Sequence, residues 1–162
     1  MPELTTASLE TTIDPDNDYF WFADVSETPD AINRILAKYL RQVEIFCPVG
    51  DESTNLTAAA GKFYFYMPYA MTVTDVRCSV NTAPVGSTII VDINEGAGAG
   101  TSILSTKLTI DDGEFSSVDA TVPAVISDTA LANNARISID IDQIGSGTPG
   151  KGLKVWIIGY KA

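Results

Sequence analysis

Ile137-Ser138-Ile139-Asp140-Ile141-Asp142 alternates a branched apolar side chain with a polar one at every step. That is the period of an extended strand with one buried and one wet face. Ile137, Ile139 and Ile141 are expected on a core, and Ser138, Asp140 and Asp142 on solvent. Outward from this run the period of two persists. Segments 43–46, 62–67, 71–80, 87–94, 103–110, 114–118, 122–126 and 153–160 also read as short strands. Between them lie turn-forming clusters: Thr82-Ala83-Pro84-Val85-Gly86, Gly96-Ala97-Gly98-Ala99-Gly100, Asp111-Asp112-Gly113, Asn133-Asn134 and the Gly-rich run 145–152. Regular short strands with no second helical period predict a mainly β fold, an antiparallel jelly-roll-like β-sandwich over residues 46–162.

Upstream the pattern is different. A polar stretch ends in Asp14-Pro15-Asp16-Asn17-Asp18 and gives way to Tyr19-Phe20-Trp21-Phe22-Ala23, an aromatic run too apolar for a surface loop and read as a covered strand. A helix over about 29–41 is expected next. Thr28 would be its N-cap, Pro29 would sit in its first turn, Asp30 at its positive end, and Lys38 and Arg41 at its negative end. Ile32, Ile35, Leu36, Tyr39 and Leu40 would form its apolar stripe. A strand and one short helix cannot hold themselves together. Residues 1–45 therefore read as a segment that docks on another surface through Tyr19, Phe20, Trp21, Phe22, Ile32, Ile35, Leu36 and Tyr39.

Two later strands carry large side chains on both faces. Phe63, Phe65 and Met67 alternate with Tyr64 and Tyr66, and Leu153, Val155 and Ile157 alternate with Trp156, Ile158 and Tyr160. Either these strands are covered by other parts of the chain, or Tyr64, Tyr66, Trp156 and Tyr160 form a subunit interface or a platform for sugar rings.

Composition narrows the chemistry. The chain of 162 residues has 21 acidic and 10 basic residues, a net charge of −11 and no histidine. The acidic balance disfavours a phosphate backbone as partner, so no nucleic acid is expected. Lack of histidine removes Ser-His-Asp and Cys-His catalysis and most zinc sites. No stretch reaches the roughly 18 apolar residues of a membrane span, and Met1-Pro2-Glu3-Leu4 does not open a secretory signal. Cys47 and Cys78 read as buried, reduced core residues. No cofactor, metal or enzymatic activity is expected.

The motifs that imitate chemistry each lack a part. Asp14, Asp16 and Asp18 match the first ligands of a calcium loop, but Tyr19 stands where the turn glycine belongs and Val25 where the bidentate Glu belongs. Asp140 and Asp142 resemble a carboxylate pair, a pattern that any hydrated strand face also presents. Asp111, Asp112 and Glu114 surround Gly113 as a turn would. The 96–100 glycine run lacks the Lys and Ser/Thr of a phosphate loop and reads as a hairpin tip.

Met67-Pro68-Tyr69-Ala70, Val91-Asp92-Ile93-Asn94, Thr101-Ser102-Ile103-Leu104-Ser105-Thr106, Val125-Ile126-Ser127-Asp128 and Gly152-Leu153-Lys154-Val155 follow one another in an order that resembles a β-sandwich module of tailed-bacteriophage structural proteins. Asp18-Tyr19-Phe20-Trp21-Phe22-Ala23-Asp24-Val25-Ser26, with the 32–40 segment after it, resembles the N-terminal docking segment of phage tail-fibre and spike proteins. The resemblance implies a non-enzymatic virion part made in the host cytoplasm. It would be a homotrimer that attaches to other virion proteins through its N-terminus and displays the sandwich as a fibre, spike or baseplate component. A host surface glycan would then be a further partner. A capsid decoration or cement protein, and a carbohydrate-binding module, are the alternatives.

Overall fold

The computed structural model describes the backbone of Tyr19–Ala23 and Ile32–Leu36 and all of residues 42–162. The chain divides between Gln42 and Val43 into two units. In the first, β1 (Tyr19–Ala23) and β2 (Ile32–Leu36) pair antiparallel, with Tyr19 opposite Leu36 and Ala23 opposite Ile32. The expected helix is therefore corrected to a strand at Ile32–Leu36. Backbone hydrogen bonding supplies the reason, since an extended aromatic run needs a partner for its N–H and C=O groups. Ile32, Asn33 and Ile35 are also weak helix formers. Tyr39, the rest of 37–41 and the Asp14, Asp16, Asp18 cluster lie outside the described residues.

The second unit contains β3 (Gln42–Pro48), β4 (Ala59–Tyr66), β5 (Met71–Ser79), β6 (Ile89–Glu95), β7 (Thr101–Ser102), β8 (Leu104–Thr106), β9 (Leu108–Ile110), β10 (Val125–Ile126), β11 (Ala130–Leu131), β12 (Arg136–Gln143) and β13 (Lys154–Lys161). Its one helical turn among the described residues is 3-10, at Ser117–Asp119, in a segment whose alternation suggested a strand. The two larger sheets run β11-β5-β13-β3 and β4-β12-β6-β7 with β9 also on β6, and β8 and β10 form a small two-stranded sheet. The pairs are nested along the chain: β3 with β13, β4 with β12, β5 with β11, and β6 with β9. Alternate pairs fall in alternate sheets.

The alternation read in β12 holds on its apolar side. Ile137, Ile139 and Ile141 are buried, and they join Ile89, Val91 and Ile93 of β6, Val73, Val76 and Cys78 of β5, and Val155 and Ile157 of β13 in a single core. The 103–110 segment breaks into two strands with Lys107 at the break, because β8 turns to pair with β10 while β9 stays on β6. A bulge at Thr74 lets β5 pass β13, the register shifting between Ile158 and Gly159. Gly159 is required there, since a Cβ would overlap the Thr72 carbonyl oxygen and crowd Met71 Cε at 2.9 Å.

Two substitutions test this packing by urea denaturation. Gly159→Ala is expected to cost roughly 3 kcal/mol or more through backbone overlap. Ile139→Ala is expected to cost about 3 kcal/mol through the cavity it leaves between the sheets. Changes under about 0.5 kcal/mol for both would contradict the assigned bulge and core.

Candidate functional site

Each sheet presents an outer face, and the two differ in chemistry. On the β4-β12-β6 sheet, Tyr66 lies opposite Arg136, Tyr64 opposite Ser138, Ser138 opposite Asn94, and Asp140 opposite Asp92. These side chains share one face by strand alternation. Tyr64 and Tyr66 are 60% and 57% exposed. The Arg136 guanidinium lies 4.9 Å from the centre of the Tyr64 ring and donates to the Gly96 and Gly98 carbonyls. The glycine hairpin tip is thereby tied to the sheet face.

The carboxylates beside them are occupied. Asp140 accepts from the Gly61 N–H at 2.6 Å and from Asn94 Nδ2 at 3.1 Å, one bond on each oxygen. Asp92, 5% exposed, accepts from Ser102 Oγ at 2.5 Å and from the Ile93 N–H, and its other oxygen lies 2.9 Å from Lys107 Nζ. Lys107 also reaches Asp142 at 2.5 Å. One ammonium thus bridges two carboxylates. Hydrogen bonds first to Asp142 and then to Asp92 hold its pKa up at about 12. Asp140 and Asp142 are therefore structural ties and not a free acid–base pair.

Ser138 corrects the sequence reading. It is 2% exposed on the face expected to be wet, because a small side chain flanked by Tyr64 and Asn94 is covered by its neighbours. Asp92 and Asn94 are buried with it.

The β5-β13-β3 sheet carries the second aromatic group. Trp156, Ile158 and Tyr160 are half-buried on β13, and Trp156 meets Phe46 of β3 at 5.3 Å between ring centres with a tilt of 46°. Arg77, opposite Trp156, is ion-paired with Asp75 at 2.7 Å. The structure therefore brings Tyr64 near Tyr66 and Trp156 near Phe46, but the two groups sit on different sheets and form no common surface. Phe46, 48% exposed, escaped sequence reading because Val43-Glu44-Ile45-Phe46 breaks alternation at its last position.

A shallow cleft of about 500 Å³ lies between β5 and the 117–129 segment, lined by Val73, Val76, Leu108, Val118, Pro123 and Val125. Asp75 and Arg77, already paired with each other, are its charged members. The glycine-flanked carboxylates likewise act locally: Asp111 accepts from the Thr121 N–H, which lowers its pKa, and Asp112 accepts from the Gly86 N–H. Among the described residues there is no group of three or more metal-ligating side chains, and no helix long and apolar enough to cross a membrane.

Cys47 of β3 and Cys78 of β5 are both buried and free. β13 runs between their strands, and two strand spacings of about 4.8 Å each exceed disulfide reach. Burial pushes each thiol up to about 12. Comparison with protein-family models, curated proteins and solved structures finds no match.

These groups set the response to alkali. Each thiol, at 9.0 when exposed and about 12 when folded, stabilises the fold fully below pH 9 and loses that contribution as pH rises toward 12. Lys107, at 10.5 and about 12, adds a loss of the same sign over the upper part of that range. Urea midpoints are expected to fall from pH 9 upward. Cys47→Ala with Cys78→Ala should flatten the lower part of the fall, and Lys107→Met the upper part. A midpoint constant from pH 8 to 11 would contradict the assignment.

Proposed function

We propose that this chain is a non-enzymatic structural protein of a tailed-bacteriophage virion. Its N-terminal segment attaches it to the particle, and its sandwich is displayed as a fibre, spike or baseplate component that self-associates. The observation that carries the reading is where the large side chains lie. Tyr64, Tyr66, Phe46, Phe115 and Val122, together with Val118 and Val125 of the cleft, are about half or more exposed. Exposed aromatic and aliphatic groups in such number mark contact surfaces. The neighbouring carboxylates are held by lysine, amide and backbone donors.

The nested strand order supports a jelly-roll reading of the sandwich. Numbered 1 to 8, the main strands β3, β4, β5, β6, β9, β11, β12 and β13 give sheet orders 1-8-3-6 and 2-7-4-5, the pairing of a hairpin rolled into two layers. Capsid and lectin domains use that architecture.

One observation favours a sugar-binding role alongside the structural one. Phe46 and Trp156 pack together beside the Asp75–Arg77 pair, so aromatic rings and polar donors and acceptors occur together on the β5-β13-β3 face. A quench of tryptophan fluorescence by host polysaccharide, lost in Phe46→Ala, would support it.

Removal of residues 1–41 tests the anchor while keeping β3 whole. The expected product is a folded, soluble sandwich that no longer incorporates into particles during infection. Unchanged incorporation would overturn the anchoring role.

A further inference from the structure

Monomers keep their sheet edges from pairing with short strands, charges, prolines and bulges. Most edges of this sandwich follow that rule. β7, β9 and β11 are two or three residues long, and β3 carries Glu44 and ends at Pro48. β4, at the edge of its sheet, is eight residues long and protected over its first half only. There the register shifts between Ile139 and Ile141, Gly61 has φ 61, and Lys62 supplies the one charge of the strand. From Phe63 to Tyr66 the strand keeps unbroken register with β12 and has no charge and no proline.

Two hydrogen bonds fix which main-chain groups of this stretch are free. The Met67 N–H donates to the Ala135 carbonyl, and the Gly96 N–H donates to the Arg136 carbonyl. Alternation along the antiparallel ladder then directs Phe63, Phe65 and Met67 toward β12, and Tyr64 and Tyr66 away from it. The N–H and C=O groups of Tyr64 and Tyr66 line the side of β4 on which no described strand pairs. Phe63 and Phe65 are only partly buried on the core side.

We propose that this edge joins a second copy of the chain, antiparallel about a two-fold axis at Phe65. Tyr64 then faces Tyr66 of the other copy on each side of the axis, and four main-chain hydrogen bonds continue the sheet from one copy into the next. Phe65 meets its own counterpart on the core side, and the tyrosines pair across the seam on the outer side. An axis at Tyr64 would draw the bulged residue Lys62 into the ladder, which is why Phe65 is the centre. Charge favours the same place. Two chains of net charge −11 repel each other, and the charged groups beside this edge are Lys62 and Arg136, with Asp140 held by internal donors. Self-complementary edges of this kind build two-fold dimers. An even-numbered assembly takes the place of the trimer implied by resemblance.

Light scattering after size exclusion, on the full chain at micromolar concentration, reads the assembly directly. The expected mass is that of two chains. Tyr64→Pro removes an N–H that β12 does not use, so it should leave the sheet folded and weaken association at least 100-fold. Should the proline variant fail to fold, Tyr64→Lys with Tyr66→Lys puts like charges opposite each other across the seam and should give monomers. A monomeric or trimeric native chain, or a dimer that survives folded versions of these substitutions, overturns the proposal. A trimer would overturn the two-fold seam alone and leave the virion reading standing.

Discussion

The packing of Ile137, Ile139 and Ile141 between the two sheets is the constraint on which the rest depends. β12 is paired on both sides, to β4 and β6, so its alternation sets the facing of each neighbour. A slip of one residue would move three isoleucines to the outer face and bring Ser138 and Asp140 into an apolar core. Burying an unpaired carboxylate there costs several kcal/mol, and the alternative register is thereby excluded.

The polar face locks that register from the other side. Asp140 is bonded to Gly61 of β4 and Asn94 of β6, so one side chain spans three strands. Lys107 ties Asp142 of β12 to Asp92 of β6, and it does so from the break between β8 and β9. Each of these bonds has a donor on one element and an acceptor on another, which makes the face a set of cross-ties. On the proposed reading, the aromatic groups and the open edge are the features through which the sandwich would meet something else. In an acidic chain these are also the places where approach of another surface is least opposed by charge.

Much of the sandwich was legible because strands of period two announce themselves, as β12 and the Phe63–Met67 alternation did. Short elements were not. β11 has two residues, and β8 and β9 share a run that reads as a single strand until their different partners are known. The Ile32–Leu36 segment failed for another reason: apolar residues at three- and four-residue spacing fit a helix, but pairing with Tyr19–Ala23 is a non-local fact. The same holds for the site. Tyr64, Tyr66, Trp156 and Tyr160 were each recognisable as outward aromatics, yet only sheet order separates them into two groups. Ser138 is covered by neighbours on two other strands, and Lys107 acquires its role from carboxylates 15 and 35 positions away, relations that local pattern does not encode.

Residue-resolved amide hydrogen exchange along β4, as a function of protein concentration, tests the account most directly. It predicts slow exchange at Phe63, Phe65 and Met67 at every concentration, because β12 holds those amides. Tyr64 and Tyr66 should exchange fast in dilute solution and become protected as copies associate. Equal exchange at all five positions, or protection of Tyr64 and Tyr66 that is independent of concentration, would contradict a β4 edge that is closed on one side and open to a second copy on the other.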